Sequence, residues 1–374
     1  MSLDVTEDVS AAALARFDML IDARSPGEFA EDHLPGAVNL PVLTDAERAE
    51  VGTIYVQESR FHARRLGAAY VARNIARHLE AGLADRPGGF QPLVYCWRGG
   101  MRSNAMASIL AQVGWRTSVL AGGYRTYRRH VVARLYDGEL PLRFILLDGH
   151  TGSAKTEMLG RLAARGFQTL DLEGLAEHRG SLFGAMAGRA QPSQKLFESR
   201  LLAALDAFDP ARPVIAEAES SKIGDRMVPP ALWIRLADAP RIEILAERAD
   251  RARYLVSAYS DLIADRDALE AAFARMPVKP SAERLAAWRA FADAGQYAEL
   301  AEAIMALHYD PAYDRSRKRH DRPLLGAASL VPADPASLVA AVETVAGLVG
   351  ELDAPARRRD AQVNNGNSRE NGHG

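Results

Sequence analysis

The chain has 374 residues, 48% hydrophobic and 25% charged, with a formal net charge of −2. These values suit a globular protein of about two domains. No apolar run approaches the ~18–20 residues of a membrane span, MSLDVTEDVS lacks the basic-then-apolar pattern of a secretory leader, and one cysteine, Cys96, excludes an internal disulfide framework or a multi-cysteine zinc site. The expectation is a cytoplasmic protein with no membrane partner.

DMLIDAR (18–24) reads as a buried strand running into a loop, and HLPGAVNLP (33–41) as a turn and short strand. Residues 59–81 have helical periodicity, with Leu66, Tyr70, Ile75 and Leu79 as candidate core positions. PGGFQPLVYC places a turn before a second buried strand that ends at Cys96. A helix follows from about Arg102 and stops at Gly114, and RTSVLAGG gives a third strand with a glycine turn. Strand and helix alternate, which predicts a parallel α/β sheet. A basic helical stretch, Tyr124–Leu135, and a linker, DGELP (137–141), close this part.

A second α/β unit opens with the strand LRFILLDG, and helical patterns dominate from Arg241 onward. The tail from Ala356 is polar and free of aromatics, so disorder is expected there. The expected boundaries are 1–136, 137–355 and 356–374.

The balanced net charge hides an asymmetry. From Arg60 to Arg134 there are thirteen arginines against two acids, Glu80 and Asp85. Such a region suits a nucleic-acid or anion binder, the alternative being arginines that merely solvate helix faces. Only five lysines occur in the chain, and one of them, Lys155, falls inside a motif.

LVYCWRGGMRS (93–103) puts a cysteine at the end of a buried strand, where parallel sheets present reactive groups. Backbone N–H groups of the turn, the start of the following helix, and Arg98 and Arg102 would lower the thiol pKa. The same field would hold a tetrahedral oxyanion among Trp97, Arg98, Gly99, Gly100, Met101, Arg102 and Ser103. The competing reading is a buried cysteine acting as a small hydrophobe.

Gly149-His150-Thr151-Gly152-Ser153-Ala154-Lys155-Thr156 follows an apolar strand and precedes a helix, the context of a phosphate-binding loop. Its amides would cradle phosphates, Lys155 would reach the outer phosphate and Thr156 could hold a magnesium ion, while the identity of the phosphate compound does not follow from the loop. The glycine usual before the lysine is Ala154 here, and its methyl group is expected to crowd the phosphate or restrict the turn. Glu217 and Glu219 alternate on a downstream strand, so both can face one side as partners of the loop. Alternatively they pair with Lys222 or Arg226 at the surface.

Residues 18–128 resemble a rhodanese domain, through LIDARSPGEFAEDHLPGAVNLP, VYCWRGGMRS and VLAGGYRTY. The loop is Cys-x5-Arg, one residue longer than in many rhodanese sulfurtransferases and similar to rhodanese-fold phosphatases. With HRGSLFG, QPSQKLFE and EAESSKIG following, residues 18–325 resemble the bacterial tRNA 2-selenouridine synthase family.

The resemblance implies a rhodanese-like domain followed by a P-loop NTPase-like α/β domain with a helical C-terminal part. It further implies exchange of sulfur for selenium at the 2-position of wobble 2-thiouridine in tRNA. Selenophosphate would be the donor, bound at the Cys96 loop, and an S-geranylated intermediate would come from geranyl diphosphate bound at residues 149–156. A supplier of selenophosphate is then a candidate partner. Arg125, Arg128 and Arg129 are the expected contacts to the anticodon region, and Trp97, Tyr124 and Tyr127 are either stacking surfaces for a splayed base or core aromatics. Two alternatives stay open: a rhodanese-type sulfurtransferase or phosphatase fused to a kinase, and a non-catalytic tRNA-binding sulfur-relay module.

Overall fold

The computed structural model describes residues 3–180, 184, 190–276, 279–317 and 322–367. The chain divides into two units, Met1–Gly138 with Pro192–Asp206, and Glu139–Gln191 with the remainder from Ala207.

The first unit is built on five strands: β1 (Asp4–Thr6), β2 (Met19–Asp22), β3 (Val38–Asn39), β4 (Pro92–Tyr95) and β5 (Ser118–Leu120). They pair in the order β1-β5-β4-β2-β3, all parallel. β4 is buried along its whole length because helices cover both faces of a parallel sheet. The order of the strands reverses between β2 and β4, and Cys96 follows β4 at that reversal. The periodic stretch forms the helix Arg60–Glu80, started by Ser59, whose Oγ accepts from His62 N. Its buried face is Ala63, Gly67, Asn74 and Ile75, while Leu66, Tyr70 and Leu79 are half-buried. β1 and the helix Asp45–Gln57 were not anticipated. That helix is held by a capping box between Thr44 and Glu47 and buries none of its own residues, so it leaves no apolar period to read.

The helix Gln194–Asp206 also belongs to the first unit, whereas the sequence reading assigned it to the domain beginning at 137. Leu196, Phe197, Leu201, Leu202 and Leu205 are its buried face. Its polar ties explain the attachment. Buried Glu198 pairs with Arg128 and accepts from the Tyr136 hydroxyl at 2.6 Å, Asp206 pairs with Arg134 at 2.7 Å, and Lys195 with Glu31 at 2.6 Å.

The second unit has β6 (Phe144–Asp148), β7 (Gln168–Leu170), β8 (Val214–Glu217), a short antiparallel pair β9 (Lys222–Ile223) and β10 (Arg226–Met227), β11 (Arg241–Leu245) and β12 (Leu324–Ser329). The main sheet runs β12-β11-β6-β8-β7, again all parallel. β11 and β12 lie in the region read as helical from Arg241. The helical reading holds between them, where Phe273, Trp288, Leu300 and neighbours form a separate small core. The helix Pro335–Asn367 buries Leu338, Val342, Val345 and Val349 against the sheet core. It continues into the segment expected to be disordered from Ala356, and residues 368–374 lie outside the described residues. Among the described residues no helix is long and apolar enough to cross a membrane.

Candidate active-site loops

Cys96 stands one residue past β4, and the helix Met101–Val113 begins five residues later. Two glycines make the turn. Gly99 has φ +63°, and a Cβ there would stand 2.7 Å from Leu120 O. Gly123, with φ +59°, brings the β5 turn against Cys96 O, so a side chain at either position would push the two loops apart. The Cys96 residue is buried, with Sγ 3.4 Å from Gly100 N and 3.2 Å from Ser103 Oγ. Burial alone would raise the thiol pKa. The Ser103 hydroxyl and the N–H groups of Ser103, Arg98 and Gly100 outweigh it and bring the pKa below its ordinary value.

The acidity therefore comes from loop donors and not from the arginines expected to supply it. Arg102 is held by Glu28 at 2.6 Å, and burial and Arg102 act oppositely on Glu28, with the guanidinium prevailing to lower its pKa. Arg98 and Met101 are exposed, and Trp97 is half-buried. Tyr124 and Tyr127 are core residues at 3% exposure each, which removes them as stacking surfaces. The Tyr124 hydroxyl donates to Asp32 at 2.7 Å, and its ring lies 5.2 Å from Trp97 and 4.2 Å from the Arg24 guanidinium. Arg24 is itself buried and grips Asp22 at 2.6 Å. Of the three arginines expected to contact RNA, Arg125 and Arg129 are exposed, while Arg128 is committed to Glu198.

The second loop joins β6 to the helix Lys155–Ala164. Gly152 adopts φ +86° close to Arg251 O. Ala154 adopts φ +50°, ψ 31°, a left-handed conformation that costs a residue with a Cβ about 1–2 kcal/mol. Its methyl group thus falls where glycine is the unstrained choice. Ser153 N and Oγ both donate to His150 O, and Lys155 Nζ donates to Gly149 O at 2.8 Å. Arg251, only 4% exposed, fixes the turn from behind by donating to Thr151 O at 3.0 Å while pairing with Asp310 at 2.9 Å. His150 turns aside to Asp314 at 3.2 Å and to the Tyr313 ring.

Every residue of the loop except His150 lines a cleft of about 580 Å³. Arg179, Arg317 and Arg322 line it too, the last two within a basic stretch of sequence, RSRKRHDR (315–322), of which 318–321 lie outside the described residues. Beneath the helix start, the Thr156 hydroxyl lies 2.6 Å from Glu217 Oε1 and 3.2 Å from Glu173 Oε2. Burial, reinforced by Glu219 and Asp171, pushes the Glu217 carboxyl well above the ordinary carboxylate range. Burial and then Glu219 and Glu217 do the same to Glu173. Burial also raises Glu219, against the pull of Lys155. Glu217 and Glu219 thus meet the loop, whereas Lys222 is exposed and stands 3.7 Å from Asp225.

Glu173 was not singled out from the sequence. Its signal was an acid just past the C-terminal end of a strand, in LDLEG. Tyr313, on the helix Asp310–Arg317, carried no signal because its partner Asp148 is far away in the chain; Arg317 lies in a basic run legible in the sequence, but its partner Glu243 was not. Beside the cleft, sharing Thr151, Leu255, Tyr259 and Tyr309 with it, an apolar pocket of about 80 Å³ opens among Leu262, Leu300, Ile304 and Met305.

Residues 6–130 match the rhodanese-like domain, and residues 142–277 match the tRNA 2-selenouridine synthase AAA domain. Curated relatives carry the name tRNA 2-selenouridine synthase. That of Hahella chejuensis is 38% identical over 233 residues, 60% of this chain and 59% of the relative. That of Nitrosomonas europaea is 36% identical over 238 residues, 62% and 61%. That of Cupriavidus necator is 36% identical over 263 residues, 67% and 69%. The chain thus spans 59% of the length of the first of these relatives. With both loops falling inside the matched domains, and with more than two thirds of one relative covered, the chain belongs to the tRNA 2-selenouridine synthase family.

Proposed function

We propose that this protein replaces sulfur with selenium at the 2-position of a wobble 2-thiouridine in tRNA, using selenophosphate and geranyl diphosphate as co-substrates. The observation that carries the reading is the polar cleft over residues 149–156 continuing into an apolar pocket. A diphosphate suits the loop amides, Lys155 and the N-terminus of the helix Lys155–Ala164. A short prenyl chain suits the neighbouring leucine, isoleucine and methionine side chains. In the first step the thiouridine sulfur bonds to C1 of the geranyl group as the C1–O bond breaks, and diphosphate leaves with the electron pair. The alkylated sulfur is then the better leaving group, and it departs as geranylthiol when the selenium of selenophosphate adds at the 2-position. Water then attacks phosphorus, the P–Se bond breaks and phosphate leaves, with the electron pair staying on selenium. Cys96, a buried thiol made acidic by loop donors, is the group on which the selenium step depends. The amides around it suit the oxyanion of selenophosphate.

A magnesium ion fits the second loop. Glu217 Oε2 is buried and has no hydrogen-bond partner among the described residues, and the Thr156 hydroxyl stands beside Glu217 Oε1. Among the described residues no three acidic, histidine or cysteine side chains form a metal cage. That accords with Mg²⁺, which takes one or two carboxylates and completes its shell with phosphate oxygens and water. Such an ion would neutralise charge on the departing diphosphate.

Nucleoside mass spectrometry of thiolated tRNA, after incubation with geranyl diphosphate and selenophosphate, tests the reading. Cys96→Ala is expected to abolish selenouridine while geranylated thiouridine still forms. Lys155→Ala is expected to slow geranyl transfer by about 10²-fold or more. Selenouridine at the parental level with Cys96→Ala, or unchanged geranyl transfer with Lys155→Ala, would refute the corresponding assignment.

A further inference from the structure

The helices Asp45–Gln57 and Arg60–Glu80 form an antiparallel pair joined by Glu58 and Ser59. Contacts run from Tyr55 with Arg60, through Glu50 with Tyr70, to Glu47 with Asn74. The base of the pair is tied to the cysteine loop. Asp45 accepts from Gly27 N at 3.0 Å, and Glu28 lies between Arg48 at 3.8 Å and Arg102 at 2.6 Å. Thirteen helical residues, Asp45–Gln57, carry the tip about 20 Å from that base.

The tip has an unusual surface. Val56 is 81% exposed, Phe61 72% and Tyr55 42%. Arg60, Arg64 and Arg65 surround them, all exposed, and none of the three has an ion pair among the described residues. Between Tyr55 and Arg65, Glu58 is the only acid. Val56 and Phe61 add little to the core of this unit, since the helix Asp45–Gln57 buries no residue and the buried face of its partner is Ala63, Gly67, Asn74 and Ile75. Exposed aromatics flanked by uncompensated guanidinium groups suit single-stranded RNA, whose bases stack on rings while phosphates pair with arginine.

We propose that the tip of this helical pair is a second RNA-contact surface. Phe61 stacks on an unpaired base, and Arg60, Arg64 and Arg65 contact phosphates of the same tRNA whose wobble base reaches the Cys96 loop. This rests on the tRNA reading above and adds to it the part of the protein that grips the RNA away from the chemistry.

The test measures binding of the full chain to an anticodon stem–loop RNA containing 2-thiouridine, by fluorescence anisotropy over a range of salt. Phe61→Ala is expected to weaken binding by about five- to a hundred-fold. Arg64→Ala with Arg65→Ala is expected to lower the slope of log Kd against log salt by about 1.5. Far-UV circular dichroism checks that the helices persist, as they should after changes at exposed side chains. Unchanged affinity and salt slope in both variants, with the parent binding normally, would overturn the surface and leave the tRNA reading standing. A parent protein that does not bind the RNA would overturn both. Binding to vesicles of phosphatidylcholine and phosphatidylglycerol that Phe61→Ala abolishes, with RNA binding untouched, would assign the tip to a lipid surface instead and overturn the proposal.

Discussion

Ser103 is the side chain on which the acidity of Cys96 turns. Burial raises the thiol pKa, and the Ser103 hydroxyl is the largest of the influences that lower it. Ser103→Ala therefore moves the pKa up, and the pH profile of Cys96 alkylation by iodoacetamide shifts to higher pH. A profile that stayed in place would mean that the loop amides suffice. The residues of this loop were legible because strand, turn and helix start are contiguous in the chain. The partner of Arg102 was not: Glu28 lies 74 residues upstream, and no local pattern marks it. Ala154 shows the reverse case. Its departure from the usual glycine was visible in the sequence, and the left-handed backbone gives that departure a physical cost.

At the scale of elements, the phosphate loop depends on a helix that comes far later in the chain, at Asp310–Arg317. Asp310, at the start of the helix Asp310–Arg317, holds Arg251, and Arg251 holds the Thr151 carbonyl. Burial works to raise the Asp310 pKa, but Arg251 and then Arg248 bring it below the ordinary value of 3.8. Its contribution is fully present above that value and is lost as pH falls through the lower folded pKa. Asp310→Asn leaves the Arg251 guanidinium buried without a counter-charge, and about 3–5 kcal/mol of stability should go with it. Urea denaturation at neutral pH measures that loss, and a midpoint within error of the parent would contradict it. The strands beside β6 were harder to read than the loop itself. RIEIL, forming β11, alternates and is short, so the longer helical periods around it dominated the reading. The helix Asp45–Gln57 was missed for the opposite reason, having no buried face at all.

At the scale of the whole molecule, the first unit is discontinuous in sequence. The division between the two units falls at Gly138. The return of Pro192–Asp206 was not legible, because an amphipathic helix advertises that it packs without saying against which sheet. A fragment ending at Gly138 lacks Glu198 and leaves Arg128, whose side chain is 20% exposed, without its partner. It also uncovers the side of the helix Tyr124–Val132 on which Gln194–Asp206 packs. Such a fragment is expected to be less stable than the first unit in the full chain by about 3 kcal/mol or more. Appending residues 192–206 through a flexible linker is expected to recover most of the loss. Thermal unfolding followed by circular dichroism compares the two, and equal melting temperatures would show that the returning helix is dispensable. One last consequence belongs to the chain as a whole. Cys96 is its sole thiol, so a sulfenic acid formed there has no neighbour with which to condense into a disulfide. Protection of that sulfenic acid as a disulfide then needs a thiol from outside the chain, with further oxidation to the irreversible acids as the competing course.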